Sequence, residues 1–249
     1  MPESRALEGM RLIVTGASRG LGRAIAIACA QNGAFVGINF NRSEDDGREV
    51  VRRIGVNAML LKFDVADPAA IAAAFQAFAD RTGGIDAIVN NAGIVRPSLL
   101  VSALDADIEA VIRTNVFGVI ACTRAAIPSM LRQRHGVILN VSSVAAARPS
   151  RGQTVYAATK GAIEAFTRAV AVEYARKGIR CECISPGPVD TGMFAATKAL
   201  GGEAVLEQTP WKRFVTPEEI AGKAVQLLSG DAGGDAGAIH TVDGGVAAG

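Results

Sequence analysis

The sequence has few aromatic residues, no long charged run and almost no net charge. Aromatic side chains make up 5% of the 249 residues, and the 26 basic and 24 acidic residues leave a formal charge of +2. Nucleic-acid-binding proteins usually carry a basic surface or aromatic platforms on which bases stack. The composition therefore argues against nucleic acid as a partner. Hydrophobic residues, at 49%, supply enough material for a large core.

Long apolar runs are also missing. Nowhere do 18 apolar residues follow one another, so no transmembrane helix is expected. The amino-terminal stretch contains Glu3 and Glu8 and has only the short apolar run Leu12–Val14, which is unlike a signal peptide. We therefore expect no membrane partner and predict a cytoplasmic protein.

Cysteine is scarce, and its spacing is not that of a metal site. No CxxC pair occurs, and the cysteines lie in apolar, periodic surroundings at Cys29, Cys122, Cys181 and Cys183. Cys181 and Cys183 would point to one face of a strand, but no nearby histidine completes a zinc site. We predict buried thiols in a reducing compartment and no metal site.

What the chain does contain is an alternation of short apolar runs with longer segments of helical spacing. The apolar runs are Arg11–Val14, Phe35–Asn39, Met59–Phe63, Ile85–Asn90, Val137–Val141, Ile179–Ser185 and Ala238–Val242. The helical patterns are Leu21–Asn32, Glu44–Ile54, Pro68–Arg81, Asp105–Arg132, Thr154–Lys177 and Pro217–Ser229. This alternation predicts an α/β fold, a doubly wound, Rossmann-type, seven-stranded parallel sheet with helices on both faces. No linker or repeat interrupts it, so residues 1–249 are predicted to form a single domain.

A glycine-rich turn follows the first predicted strand. Gly16, Gly20 and Gly22 have the spacing GxxxGxG, which differs from the dinucleotide fingerprint GxGxxG. The same physics applies, because glycines permit a tight turn and let backbone N–H groups at a helix start approach a pyrophosphate. A plain tight turn is the alternative. The position after the first strand of an α/β alternation favours a dinucleotide site.

Charge at the end of the second strand bears on which dinucleotide binds. NAD sites usually place an acid there for the ribose 2′-hydroxyl, whereas this sequence has Asn41 and Arg42 and no acid before Glu44. Arg19 and Arg42 could pair with a 2′-phosphate, although both could equally be solvated surface residues. We predict NADP(H), with Asp64 accepting a hydrogen bond from the adenine amino group.

Tyr156 and Lys160 are one turn apart on a predicted helix and so share one face. A free tyrosine is protonated at neutral pH, but a lysine charge about 5 Å away would stabilise the phenolate by about 3 kcal/mol at an effective dielectric of ~20. Such a phenol can act as a general acid or base. The YxxxK spacing alone is common on helices, but Ser143 ends the fifth strand nearby. Ser142 is the rival, although it should point to the opposite face of that strand.

Several motifs together resemble the short-chain dehydrogenase/reductase family. They are TGASRGLG (15–22), DV (64–65), NNAG (90–93), Asn115 in RTNVFG, NVSS ending at Ser143, YAATK (156–160) and SPGPVDT (185–191). They occur in the family's order and span the chain from Met10 to about Gly245. The resemblance implies an NADP(H)-dependent oxidoreductase that interconverts a carbonyl and an alcohol.

The same resemblance implies roles for individual residues. Ser143, Tyr156 and Lys160 would form the catalytic triad, and Asn115 would hold a kinked helix and a water that relays protons to Lys160. The implied cofactor contacts are Gly16, Ser18, Arg19, Gly20, Leu21, Gly22, Asn41, Arg42, Asp64, Val65, Asn91, Ala92, Gly93, Tyr156, Lys160, Pro186, Gly187, Val189 and Thr191. Family members pair through the helices here at Asp105–Arg132 and Thr154–Lys177, which implies a homotetramer completed by the last strand.

Within the family, the chain is most similar to the 3-oxoacyl-(acyl-carrier-protein) reductases, through QRHGVILNVSS and EQTPWKRFVTPEEIA. This implies reduction of a 3-oxoacyl thioester, with Arg134 and Lys177 as counterparts of the basic residues that dock the acidic carrier protein. The alternatives are an NADP-dependent alcohol, polyol or polyketide dehydrogenase and, more remotely, a catalytically silent NADP-binding sensor.

The predicted substrate side has few polar anchors. A flap at about 190–215 should cover the substrate with apolar side chains, which are Met193, Phe194, Leu200, Leu206, Trp211 and Phe214. Arg96, Arg148 and Arg151 either ring the entrance to the site or form a solvated rim.

Overall fold

The computed structural model describes residues 5–189, 210–230 and 236–246. Within these residues the strands form one parallel sheet in the order β3-β2-β1-β4-β5-β6-β7. The strands are β1 (Arg11–Val14), β2 (Phe35–Phe40), β3 (Ala58–Lys62), β4 (Ala87–Asn90), β5 (Gly136–Val141), β6 (Ile179–Pro186) and β7 (Ile239–Val242). The predicted doubly wound architecture is confirmed.

Helices connect the strands and cover both faces of the sheet. They are α1 (Gly20–Gln31), α2 (Glu44–Ile54), α3 (Pro68–Thr82), α4 (Asp105–Ile112), α5 (Gly118–Gln133), α6 (Thr154–Tyr174) and α7 (Pro217–Ser229). Asp67 caps α3 by accepting hydrogen bonds from Ala69 N and Ala70 N, and Thr216 and Glu219 form a capping box at the start of α7.

Burial on both faces explains why the strand runs are apolar at nearly every position. In β1, Leu12 and Val14 point into the core on the side of α1 and α7, whereas Ile13 points into the core beneath α3 and α5. All three are completely buried. Alternate residues of one strand thus belong to two different cores, as a doubly wound sheet requires.

Most predicted elements have slightly different bounds in the structure, and the fourth strand and the helix predicted at Asp105–Arg132 differ in ways that affect the account of the fold. The fourth strand begins at Ala87 rather than Ile85, because Ile85 N bonds Ser129 Oγ and the Asp86 carboxylate accepts from Arg11 Nε at 2.7 Å. Arg11 thereby holds the pKa of Asp86 below its usual value, against the opposing effect of burial. The predicted continuous helix Asp105–Arg132 is interrupted by a π-helical turn, Arg113–Phe117.

The helical stretch Asp105–Gln133 is the described segment that is long and apolar enough to cross a membrane, judged by length and composition alone. The core helix of a soluble protein meets the same criterion. Cys122, Ala126 and Met130 of this stretch are buried in the core beneath the sheet, so packing explains its apolar character.

The four cysteines are buried and free. Burial raises the pKa of the Cys29, Cys122 and Cys183 thiols to about 12, so none of these three is a reactive thiolate at neutral pH. The prediction of buried thiols is confirmed. Among the described residues no group of three or more His, Cys, Asp or Glu side chains could hold a metal ion.

Candidate active site

A large cleft runs along the carboxyl ends of the strands, where the strand order reverses between β1 and β4. Its volume is about 1980 Å³, enough for a dinucleotide together with a substrate. The predicted cofactor residues that line it are Gly16, Ser18, Arg19, Gly20, Leu21, Gly22, Asn41, Arg42, Asp64, Val65, Asn91, Ala92, Gly93, Tyr156, Lys160, Pro186, Gly187 and Val189. Ser143 lines the same cleft, whereas Thr191 lies outside the described residues.

The glycine turn has the geometry that a pyrophosphate site needs. Gly16 and Gly20 have φ angles of +63° and +55°, which side-chain-bearing residues rarely adopt. A Cβ added at Gly22 would overlap the Asn91 side-chain amide and the Gly16 carbonyl. No side chain caps the start of α1, and its first turn contains no acidic residue. The backbone N–H groups there remain available to an anion, so the turn fits a dinucleotide phosphate.

Two polar residues that sequence reasoning missed fix this turn in place. Asn39 is buried in β2, and its Oδ1 accepts a hydrogen bond from Gly16 N at 2.9 Å. Thr15 Oγ1 accepts from both Asn91 N and Ala92 N at 3.0 Å. A polar side chain inside a strand buried on both faces was the signal that could have identified Asn39.

The adenosine end of the cleft carries basic side chains without acidic partners. Glu44, the nearest downstream acid, pairs instead with Arg48 at 2.6 Å and with Lys62 at 3.6 Å. The bond to Arg48 lowers the pKa of the Glu44 carboxyl. In the described ranges neither Arg19 nor Arg42 takes part in an ion pair, which leaves both guanidinium groups available to a phosphate.

Asp64 lies just after β3, which ends at Lys62 rather than at Asp64 as predicted, and its carboxylate already has two partners. Its Oδ2 accepts from Asn41 Nδ2 at 2.7 Å and its Oδ1 accepts from Ala66 N at 2.8 Å. A carboxylate has about four acceptor positions, so capacity for a further donor remains.

Tyr156 and Lys160 lie one turn apart at the start of α6, and both line the cleft. The Lys160 ammonium is 5.5 Å from the centre of the Tyr156 ring. Lys160 is only 5% exposed, and its Nζ donates to the Val141 carbonyl at 2.8 Å. The carbonyl at the end of β5 therefore holds a buried positive charge beside the phenol.

The two adjacent serines after β5 have different surroundings. Ser142 Oγ points beneath α6, where it donates to the Lys160 carbonyl at 3.1 Å or to Glu164 Oε1 at 3.0 Å. Ser143 Oγ accepts from Ala145 N at 3.2 Å and caps the short turn Val144–Ala146, so its hydroxyl proton can still be donated into the cleft. This is the difference predicted for the two faces of the strand.

Asn115 lies beneath the cleft, within the π-helical turn, and is 1% exposed. Its amide pairs with both backbone groups of Ile94, accepting from N at 2.8 Å and donating to O at 2.9 Å. It also donates to Thr159 Oγ1 at 3.2 Å, and Thr159 in turn donates to the Tyr156 carbonyl at 2.7 Å. Asn115 thus links the loop after β4 to the helix that carries the tyrosine, a link through Thr159 that the sequence did not reveal.

The flap is described only in part. Residues 190–209, including Met193, Phe194, Leu200 and Leu206, lie outside the described ranges. At the ends of that segment, Val189 pairs with Val215 in an isolated parallel bridge. The Trp211 ring is exposed and stacks against the Arg213 guanidinium at 4.7 Å.

Arg134 and Lys177 lie at the amino-terminal ends of β5 and β6, on the opposite side of the sheet from the cleft at the carboxyl ends. Arg134 precedes β5 and Lys177 precedes β6, and Gly136 N donates to Gly178 O at 3.2 Å between them. Tyr156 follows the carboxyl end of β5. Since β5 has six residues, within one chain the two basic residues and the phenol are separated by roughly 20 Å of strand.

Known proteins resemble this chain over nearly its whole length. A family model described as enoyl-(acyl carrier protein) reductase matches residues 16–247. The 3-oxoacyl-(acyl-carrier-protein) reductase of Staphylococcus aureus strain Mu50 is 37% identical over 94% of this chain and 96% of its own length.

Two solved structures share the fold, each with a TM-score of 0.91. One is a gluconate 5-dehydrogenase from Burkholderia cenocepacia in complex with NADP and tartrate, 33% identical over 99% of this chain and 98% of that one. The other is a 3-ketoacyl-(acyl-carrier-protein) reductase from Brucella melitensis complexed with NADH, 31% identical over 97% of this chain and 99% of that one. With the fold and the motifs already described, these similarities establish that the chain belongs to the short-chain dehydrogenase/reductase family of oxidoreductases.

Proposed function

We propose that this protein uses NADPH to reduce a carbonyl to an alcohol, with a 3-oxoacyl thioester as substrate. One observation carries the proposal. Ser143, Tyr156 and the buried Lys160 line a single cleft, and the same cleft contains a glycine turn that fits a dinucleotide phosphate. The similarity to 3-oxoacyl-(acyl-carrier-protein) reductases supports the substrate class.

Each side chain of this group has a distinct chemical task. When bound, the reduced nicotinamide supplies the hydride. Ser143 donates a hydrogen bond to the substrate oxygen and so holds it near Tyr156, which protonates it as negative charge develops there. Lys160 stabilises the phenolate that remains, because its ammonium lies 5.5 Å from the ring centre. Asn115 keeps the start of α6 in position from beneath, and in the proposal it also holds the water that returns a proton.

The basic residues at the adenosine end support NADPH over NADH. Arg19 and Arg42 are exposed, line the cleft and have no carboxylate partner in the described part of the chain. A 2′-phosphate offers oxygen atoms that guanidinium groups bind well. The solved relatives include both an NADP and an NADH complex, so the preference is a property to be measured on this chain.

A carrier-tethered substrate would dock through Arg134 and Lys177. Because both lie at the far edge of the sheet from Tyr156 within one chain, the proposed docking requires either a long flexible arm or a second subunit. Charge reversal of both residues should raise the KM for a carrier-bound substrate and leave the KM for a free thioester unchanged. If the charge reversal changed the KM for the carrier-bound substrate no more than the KM for the free thioester, this docking pair would be rejected.

Exposed apolar side chains support the proposed pairing of subunits. Ile112, Phe117 and Ile120 project from the α4–α5 segment and Val172 projects from α6, with exposed fractions of 45%, 39%, 38% and 85%. These two helices are the ones through which relatives are expected to pair, and a homotetramer is the proposed assembly. Light scattering that shows a monomer at working concentration would contradict it.

The test of the proposed reaction is a steady-state panel in which NADPH and NADH are used in parallel. Acetoacetyl thioesters should be reduced with a higher kcat/KM than unrelated ketones, and NADPH should be the better donor. Thioester rates no higher than those for unrelated ketones would reject the substrate class. Binding of NADPH without turnover on any ketone would favour the silent sensor.

A second candidate is an NADP-dependent alcohol or polyol dehydrogenase. The similarity to a gluconate 5-dehydrogenase, at 33% identity and a TM-score of 0.91, specifically favours it. Comparing oxidation and reduction rates at matched pH, with polyols and thioesters in the same series, separates the two candidates.

A further inference from the structure

We propose that Arg148 makes this site select carbonyl substrates that carry an anionic group, either a carboxylate or a phosphate. This inference rests on the proposed function and names a property of its substrate. It comes from an arginine that follows the catalytic serine closely, lines the same cleft and has no partner in the described parts of the chain.

The position of Arg148 is set by the turn that Ser143 begins. Ser143 Oγ caps the turn Val144–Ala146, and Arg148 N donates to the Val144 carbonyl at 2.7 Å. The backbone at Arg148 is therefore tied to the same short turn as the hydroxyl that faces the substrate. Its side chain lines the cleft together with Ser143 and Tyr156.

Arg148 differs from Arg96 and Arg113, which line the same cleft, in what its guanidinium contacts. Arg96 lies 3.4 Å from Asp107, and Arg113 stacks on Phe117 and donates to the Ala66 carbonyl at 3.4 Å. Across residues 5–189, 210–230 and 236–246, the Arg148 guanidinium makes no ion pair or hydrogen bond. An exposed guanidinium is readily solvated, but one that faces a substrate cleft is also ready to bind an oxyanion in a bidentate manner.

The carboxylates that line the described part of the cleft do not neutralise the positive charge of Arg148. Among its described lining residues the acids are Asp64 and Glu218. Asp64 is bonded to Asn41 at the adenosine end, and Glu218 lies in the first turn of α7. Since no carboxylate of the described lining pairs with Arg148, a substrate anion would supply the countercharge.

Arg151 adds positive charge to the loop that carries Arg148, and the loop after β4 contacts that loop. Ser98 N donates to Gly152 O at 3.0 Å, which joins the loop after β4 to the loop between β5 and α6. The first loop carries Arg96, and the second carries Arg148 and Arg151. Arg151 lines a small neighbouring pocket of about 390 Å³ with Leu99 and Leu100. The entrance thus combines positive charge with apolar surface, which suits an anionic carbonyl compound that has an aliphatic portion.

The experiment compares charged and neutral members of matched substrate pairs in Arg148→Gln and wild type, using NADPH. The carboxylate pair is acetoacetate and methyl acetoacetate. The phosphate pair is acetoacetyl-CoA and the neutral acetoacetyl thioester of N-acetylcysteamine. Arg81→Gln, an exposed arginine on α3 away from the cleft, is the matched control.

We expect wild type to prefer the charged member of one pair. Arg148→Gln should raise the KM for that member roughly tenfold, with little change for its neutral partner or in kcat. The preference should also weaken as ionic strength rises. The pair that responds identifies the anion as carboxylate or phosphate. Equal KM changes for charged and neutral members, or no difference between Arg148→Gln and Arg81→Gln, would overturn the proposal.

Calorimetric titration of acetoacetate and acetoacetyl-CoA into the NADP⁺-loaded protein keeps this inference separate from the proposed function. If no compound is turned over, the proposed function fails. Weaker binding of an anionic ligand to Arg148→Gln would still support the anion site, and equal binding would reject it.

Discussion

The cofactor half and the substrate half of the cleft are built differently. The cofactor half rests on buried backbone geometry, with positive φ angles at Gly16 and Gly20 and a glycine at position 22 where a side chain would overlap its neighbours. The substrate half beyond Ser143 presents exposed side chains, notably Arg96 and Arg148. Positive φ angles and steric overlap restrict the residue types possible at these glycines, whereas the exposed side chains of the second half meet no such restriction.

This difference separates what the site does from what it acts on. In the proposed reaction, this framework of buried hydrogen bonds would fix the position of the dinucleotide and of the phenol, and with them the class of reaction. Exposed side chains at the entrance can change without disturbing that framework, so we propose that they select which carbonyl compound is accepted. The comparison can be tested by changing one residue at a time, first in the buried framework and then at an exposed side chain.

Gly22→Ala should have the largest effect on cofactor binding. A Cβ at this position overlaps the Asn91 amide and the Gly16 carbonyl, and such overpacking costs about 2–3 kcal/mol. The NADPH Kd, measured by fluorescence titration, should therefore rise by ~100-fold. Gly222→Ala in α7, where an added Cβ has nothing within 4 Å, is the control and should leave Kd unchanged. An unchanged Kd in both variants would show that the turn is not the phosphate site.

Asn115→Ala should lower kcat by roughly 100-fold while changing the NADPH Kd little. The substitution removes the amide that bonds both Ile94 backbone groups and Thr159, so Tyr156 loses its support from beneath. A small misplacement of a catalytic group is enough for a loss of about that size. Asn57→Ala, in the turn before β3, is the control. A fall in NADPH affinity as large as the fall in kcat would mean that Asn115 serves the fold rather than the catalytic residues.

Arg42→Gln should have the smallest effect, because this residue is exposed. We expect the ratio of NADPH to NADH kcat/KM to fall about tenfold, since one charge-assisted contact to the 2′-phosphate is lost. Arg52→Gln, an exposed arginine of α2 that pairs with Glu49 and does not line the cleft, is the control. A ratio that does not change would place the 2′-phosphate elsewhere.

The sheet could be predicted from the sequence because its signals are local. The apolar runs gave the strands, and Asp67 and Thr216 marked helix starts that the structure confirms. The start of β4 at Ala87 was not predicted because Asp86 pairs with Arg11, which is 75 residues away in the chain. The π-helical turn at Asn115 was not predicted, and the bonds that its side chain makes to Ile94 and Thr159 are also non-local.

The same distinction between local and non-local signals applies to the candidate site. The glycines and the Tyr156–Lys160 pair could be identified because spacing along one turn fixes their geometry. Asn39 left one sequence signal, a polar residue inside an apolar strand. Thr15 and Thr159 left none, because their importance lies in hydrogen bonds between segments distant in sequence. The role of Glu44 was also hidden, since only the structure shows that it pairs with Arg48 and Lys62 instead of facing the cofactor end.

The most direct test of the central claim is the rate of carbonyl reduction by Tyr156→Phe. This substitution removes one hydroxyl from a half-buried ring and leaves Lys160, Ser143 and the glycine turn in place. With NADPH and an acetoacetyl thioester, kcat should fall by about 10²–10⁴-fold. The NADPH Kd should stay within about threefold of wild type. A variant that reduces the thioester at the wild-type rate would contradict the account, because the proton would then come from another group.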